Sequence, residues 1–197
     1  MPSLSLKHWN ETASFALDAM ESAHRAASSA GRRRRYAMQQ INQGYLMLLS
    51  SHFQQFCRSL HSEAAAHLVS NVAPALQSIV RSSFTVGRKL DQGNPNPGNL
   101  GADFSRLGMA MFWRDVVSFR AENERRKDAL TKMGYWRNAI AHQDFVSSTH
   151  VHELGGRTEI TLAEVRAFRW NCKCLARDFD VVVLAHIKTV AGPSAGW

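Results

Sequence analysis

The sequence predicts an all-α helical bundle, and three observations carry that prediction. Apolar side chains return every three to four residues over most of the chain, the spacing that paints a stripe down one face of a helix. Glycine and proline gather in a few short breaks rather than inside those stripes, as helix interiors require. Strict alternation of apolar and polar residues, the mark of a half-buried strand, is confined to one short stretch near residue 150.

A first helix is expected from Leu6 to Ala27, with Trp9, Ala16, Met20, Ala23 and Ala27 on one stripe. The second is long: Met38, Ile41, Tyr45, Leu48, Leu49, Phe53, Phe56 and Leu60 keep helical spacing to about Val69. Pro74 suits the first turn of a third helix bearing Leu76, Ile79 and Val80, because its missing N–H would have had no partner there. The run Gly93-Asn94-Pro95-Asn96-Pro97-Gly98-Asn99 predicts a firm loop, and Phe104, Leu107, Met111 and Phe112 mark the next helical segment. Asn123 to Ala141 reads as a helix with Asn123 as its cap, Glu124 in its first turn and Leu130, Met133, Trp136 or Arg137, and Ile140 at helical spacing. Thr149, Val151 and Glu153 alternate before Gly155-Gly156, with Arg157 and Glu159 beyond, which predicts a small hairpin over the end of the bundle. Thr161-Leu162-Ala163-Glu164 is a capping-box signature, opening a last helix whose Leu162, Val165, Phe168, Cys172, Leu175, Phe179, Val182 and Ile187 stripe reaches about Lys188. Residues 1–190 are therefore expected to form one domain, and 191–197 a flexible tail.

A chain of 197 residues with 45% hydrophobic content can bury one sizeable core. No apolar run approaches membrane-spanning length, and Met1-Pro2-Ser3-Leu4-Ser5-Leu6-Lys7-His8 lacks a signal peptide's apolar stretch. The expectation is a cytoplasmic protein with no membrane partner. Cys57, Cys172 and Cys174 fit a reducing compartment, and Cys172 with Cys174 alone is too few for a structural zinc site.

The formal net charge of +8 favours a polyanionic partner, without specifying which polyanion. Its densest patch is Arg32-Arg33-Arg34-Arg35, read either as a phosphate-binding arm or as a solvated connector after Ala26-Ala27-Ser28-Ser29-Ala30-Gly31. A second group, Arg125, Arg126, Lys127 and Lys132, lies on the 123–141 helix, where its charge could reach the same substrate or only solvate the helix.

That helix ends in the most informative residues of the chain, Arg137-Asn138-Ala139-Ile140-Ala141-His142. Arginine stays charged and offers phosphate oxygens a planar fork of donors, while histidine moves protons near neutral pH. The combination suits a phosphodiester. On an ideal helix residues five apart point about 140° away from each other, so both could face one cleft only if the helix frays at His142. The purely structural alternative is an Arg that salt-bridges a neighbouring helix and a His that caps it.

The segment "RNAIAHQDF", placed at the end of a helix before a final long helix, resembles the HEPN superfamily, whose hallmark is Arg, a polar residue, three residues, then His. The resemblance is firmest over about residues 123 to 188. It implies an up-and-down helical bundle and a metal-independent endoribonuclease without a cofactor. In that role His142 assists proton transfer, Arg137 stabilises charge on phosphate and Asn138 orients phosphate or imidazole. It also implies a homodimer whose two motif helices share one cleft, and a toxin or phage-defence role restrained by a cognate antitoxin. The alternative is a HEPN-like module that binds RNA or a nucleotide, or only dimerises, without cleavage; a basic DNA-associated regulator is a third reading. One toxin subgroup carries Tyr two residues after the motif His, where this chain has Asp144.

Other candidate sites are weaker. His150 and His152 would share one side of a strand but lack a third ligand, and surface histidines are the commoner reading. Cys57 and His61 lie one helical turn apart, a spacing that serves packing more often than metal. His52 and His67 have no partner identifiable from sequence, and Met109, Met111 and Met133 read as core filler. The chain has no phosphate-binding glycine loop, HExxH pair or nucleophile elbow.

Overall fold

The computed structural model describes residues 1–27 and 34–197. Those residues form helices joined by turns, with no strand among them. The N-terminal rod comprises α1 (Leu4–His8), a π-helical turn (Trp9–Ala13) and α2 (Ser14–Ala27). Its free N-terminal amides are capped across the bundle: the Glu63 carboxylate accepts from the backbone N–H of Leu4 at 2.9 Å and of Ser5 at 3.1 Å. The long α3 (Arg34–Val69) is the spine, contacting α1, α2, α8 and α10. Next come α4 (Pro74–Thr85), α5 (Lys89–Gln92), α6 (Pro97–Ser105) and α7 (Phe112–Phe119), then α8 (Asn123–His142), α9 (Ser148–Leu154) and α10 (Leu162–Ala191).

The buried stripe of α3, including Tyr45, Leu49, Phe53 and Leu60, meets that of α10, including Val165, Leu175, Phe179 and Val183. Phe104 and Phe112 stack at 4.4 Å between ring centroids, and Phe179 meets Phe112 edge-on at 5.0 Å. Trp136 brings α8 into the same core. Charged groups then fix α2 against α10: Arg166 pairs with Glu21 at 2.8 Å and Arg169 with Asp18 at 2.7 Å. The Tyr45 hydroxyl donates to Glu21 at 3.0 Å, and burial pushes its pKa up to about 12. No described helix is long and apolar enough to cross a membrane.

Several expectations change in detail. Residues 148–154 form α9 and not half of a hairpin. Ser147 caps it by accepting from the His150 N–H at 3.4 Å, and Gly155 (φ 62°) and Gly156 (φ 69°) end it in left-handed conformations. The glycine pair thus stops a helix instead of turning a hairpin. The 93–99 loop is shorter than expected, because Asn96 and Pro97 open α6, the Asn96 side chain accepting from the Asn99 N–H at 2.8 Å. Asn123 does not cap α8. It is buried at the first helical position, where its amide donates to the Val116 carbonyl at 3.0 Å and accepts from Arg126 at 2.7 Å, tying α7 to α8. The expected capping box of α10 is present, with Thr161 and Glu164 bonded reciprocally. The C-terminal residues, expected to hang loose, lie against the bundle: Trp197 donates to Asp180 at 3.3 Å and sits 5.8 Å from the His67 ring.

Candidate active site

Helix α8 buries Leu130, Met133, Trp136, Ala139 and Ile140, which leaves Arg137 and Asn138 half-exposed on its flank. The Asn138 Oδ1 accepts from Asn94 at 2.6 Å and from the Arg137 guanidinium at 3.3 Å. A recess of about 220 Å³ opens there, lined by Gln54, Asp91, Gln92, Gly93, Asn94 and Arg137. Gln54 holds its wall by donating to the carbonyls of Leu90 at 2.6 Å and Gly93 at 2.8 Å. Asp91, the carboxylate in this lining, is already engaged by Arg58 at 2.8 Å and Arg88 at 3.1 Å. Arg137 has no carboxylate partner among the described residues.

His142 is the last residue of α8 and is exposed, with no side-chain partner among the described residues. The helix does not fray before it. Gln143 adopts φ 52°, and the Asp144 N–H bonds back to the Ala139 carbonyl at 3.0 Å, a Schellman-type closure. Gln143 also donates its side chain to the Ile140 carbonyl at 2.8 Å, so the helix end is capped by Gln143 and not by His142. Within one chain, Arg137 and His142 therefore stay on different sides of an intact helix, and the recess at Arg137 does not include His142 in its lining. Asp144 serves the next helix: its carboxylate accepts from the N–H groups of Ser147 at 3.0 Å and Val146 at 3.2 Å, which holds its pKa below the usual range.

A second recess, of about 270 Å³, lies beside the first and shares Asn94 with it. It is bounded by Asn138, Gly134 and Tyr135 of α8 and by Pro97 and Gly98 of α6. Nothing lies within 4 Å of where a Gly134 Cβ would stand. A glycine inside a helix costs about 1 kcal/mol relative to alanine, and close packing does not account for this one.

The basic residues are spread over different roles. Arg32 and Arg33 lie outside the described residues. Arg34 is exposed, and Arg35 pairs with Glu159 at 2.9 Å. Arg126 is committed to Asp178 at 3.1 Å and Lys127 to Glu124 at 3.1 Å. Lys132 is exposed, while Arg125 borders a shallow recess with Trp170 and Asn171.

The alternative histidine and cysteine sites are otherwise occupied. His150 and His152 stand on α9, where residues two apart point to nearly opposite sides, and His150 Nδ1 lies 2.6 Å from the Asp144 carbonyl. His61 is fully buried, its Nε2 3.0 Å from the Asp103 carbonyl, and desolvation lowers its pKa to about 4. Burial raises the thiols of Cys57 and Cys172 far above their ordinary range. No group of three or more His, Cys, Asp or Glu poised to hold a metal occurs among the described residues.

Two features were not visible in the sequence. Asn94 reaches Asn138 across 44 positions, a contact that no local pattern signals. A wider cleft, about 650 Å³, lies elsewhere, between the start of α3 and the start of α10, with Met38, Ile160, Leu162 and the buried His24 in its lining. It contains none of Arg137, Asn138 and His142. Comparisons with protein-family models, curated proteins and solved structures returned no match.

Proposed function

We propose that this protein is an endoribonuclease that cleaves RNA by attack of the ribose 2′-hydroxyl on its own phosphate, using Arg137, Asn138 and His142. The observation that supports this most is that the structural alternative lacks both its ion pair and its histidine cap among the described residues. Among the described residues Arg137 donates only to the neutral amide of Asn138 and His142 caps nothing, whereas Arg126 and Lys127 of the same helix are held in ion pairs. A cation and an imidazole left accessible to solvent are available for a ligand.

In this reading the 2′-oxygen forms a bond to phosphorus, the bond from phosphorus to the leaving 5′-oxygen breaks, and protons pass from the 2′-hydroxyl and to the 5′-oxygen. His142 handles proton transfer and Arg137 stabilises the charge that builds on the phosphate oxygens. Asn138, held between Asn94 and Arg137, fixes the guanidinium. The nucleophile belongs to the substrate, so no metal-bound hydroxide is required. Because an intact α8 separates Arg137 from His142, the complete set of groups is assembled by two copies, with Arg137 of one facing His142 of the other. This agrees with the HEPN-like motif, as do a cytoplasmic setting, a toxin or phage-defence role and a restraining antitoxin. The same separation also favours one alternative, an RNA- or nucleotide-binding module that does not cut.

The test is a single-stranded RNA carrying one 2′-deoxy substitution at the cut position. The parent RNA should be cut in the presence of EDTA, leaving a 2′,3′-cyclic or 3′-phosphate opposite a 5′-hydroxyl, and the substituted RNA should survive. Cleavage at the 2′-deoxy position, or its loss with EDTA, would overturn the mechanism; binding without cleavage of the parent would select the non-catalytic module.

A further inference from the structure

The recess between α8 and the first turn of α6 shares Asn138 with the chemistry above, which leaves the rest of its lining unused. We propose that it is a nucleobase subsite, in which Asn94 and Asn138 read the hydrogen-bonding edge of one RNA base beside the phosphate held at Arg137. The inference rests on the RNA-directed reading of Arg137 and adds to it the part of the substrate that this chain recognises.

Hydrogen-bond direction carries the first step. A guanidinium can only donate, so its contact with Asn138 at 3.3 Å identifies the oxygen of that amide. The same oxygen accepts from Asn94 Nδ2 at 2.6 Å. What remains is Asn138 Nδ2 as a donor and Asn94 Oδ1 as an acceptor, neither with a partner among the described residues. Both asparagines line the recess. A free amide donor and a free amide acceptor in one lining are groups that the edge of a nucleobase can meet with its own acceptor and donor.

Shape carries the second step. At about 270 Å³ the space has room for one planar heterocycle. Gly134 keeps it open, since a side chain there would meet nothing and would project into unoccupied space. Tyr135 adds an aromatic side chain to the lining, the kind of surface on which unstacked RNA bases pack. The opposite wall is held in place. Trp113 donates to the Pro97 carbonyl at 2.7 Å, and Asn99 donates to the Asn94 carbonyl at 2.8 Å. Binding therefore needs little reorganisation, which favours affinity.

The experiment titrates the four nucleoside 3′-monophosphates, and inorganic phosphate as control, into the whole ¹⁵N-labelled protein. At least one nucleotide should shift the Gly134 amide and the side-chain amides of Asn94 and Asn138, while phosphate alone should leave Gly134 unmoved. Gly134→Leu, which fills the recess from an open helical position, should weaken that nucleotide at least tenfold without lowering the melting temperature; Gly134→Ala should have a smaller effect. Single-stranded RNA should displace the nucleotide. The proposal is overturned if no nucleotide moves these resonances, if Gly134→Leu binds as tightly as the parent, or if RNA fails to compete, which would make the recess a free-nucleotide site. RNA cleavage, read on the same samples, separates the two readings. Nucleotide and RNA binding without cutting leaves the subsite standing and removes the nuclease, whereas cutting with unchanged base preference in Gly134→Leu does the reverse.

Discussion

Near the start of α8, Arg126 donates to Asp178 and to Asn123 at 3.1 and 2.7 Å; three turns later, about 20° away round the axis, Arg137 has only the neutral amide of Asn138. The two arginines share a helix and nearly a face. Arg126 stands where α10 supplies a carboxylate, and its charge is spent on joining α8 to α10. Arg137 stands beside residues 91–94, whose one carboxylate, Asp91, is already held by Arg58 and Arg88. Charge matched inside the fold contributes to stability; charge left unmatched beside a recess is free to meet an anion.

Removing the Arg137 side chain and removing the carboxylate that holds Arg126 should have opposite consequences. Arg137→Ala should lower RNA cleavage by about 10²–10³-fold, the scale of losing one group that stabilises developing charge, with a melting temperature close to the parent's. His142→Ala should behave alike, and Asn138→Ala should lose less, because a neutral amide carries neither proton nor charge. A large loss of stability in Arg137→Ala, or full activity in both Arg137→Ala and His142→Ala, would remove the distinction. At the other end of the helix, Asp178→Ala strips the carboxylate from both Arg126 and Arg120. It should destabilise by about 2 kcal/mol in urea denaturation and leave the activity of the folded fraction intact.

The wall facing Arg137 offers a pH test. Arg88, which holds Asp91 of that wall, also lies 3.5 Å from Nδ1 of the buried His61, whose folded pKa of about 4 lies below the ordinary value of 6.5. Between those values the unfolded chain binds the proton and the folded chain does not, so stability rises with pH and is lost as pH falls from about 6.5 towards 4. The full window is worth on the order of 3 kcal/mol for one histidine. His24 and His52, also depressed by burial, act in the same direction. Urea midpoints at pH 7 and pH 5 should show the fall, and His61→Gln should flatten it; an unchanged slope would mean that His61 is not the neutral partner its surroundings require.

How much of this was legible in the sequence depends on how local each cause is. The spine α3, the motif helix α8 and the last helix α10 could be read because their stripes are long and periodic, and Thr161 with Glu164 marked the start of α10 within four residues. The hairpin reading of 149–159 rested on a short alternation, and the Ser147 cap with the Gly155 stop outweighed it. Asn123 looked like a cap because capping is the commonest use of such a residue before a helix, but its partner, the Val116 carbonyl, is set by how α7 approaches α8. At the site, Arg137, Asn138 and His142 stood out as a motif. Their surroundings did not: Asn94, Gln54 and the recess that Gly134 leaves open come from elements far apart in the chain.

The closure at Gln143 has a geometric consequence for assembly. By keeping His142 in helical register it makes α8 a ruler, with Arg137 and His142 separated along the axis by about 7.5 Å at 1.5 Å per residue. Two such rulers laid parallel and level set like against like. Laid antiparallel about a two-fold axis at the level of Ala139 and Ile140 but on the Asn138 and Ala141 side, the side not turned to the core, they would set each guanidinium level with the other copy's imidazole. In the two-copy arrangement proposed above, a fixed helix end would favour that orientation, and a slip by one turn, about 5.4 Å, would separate both pairs together.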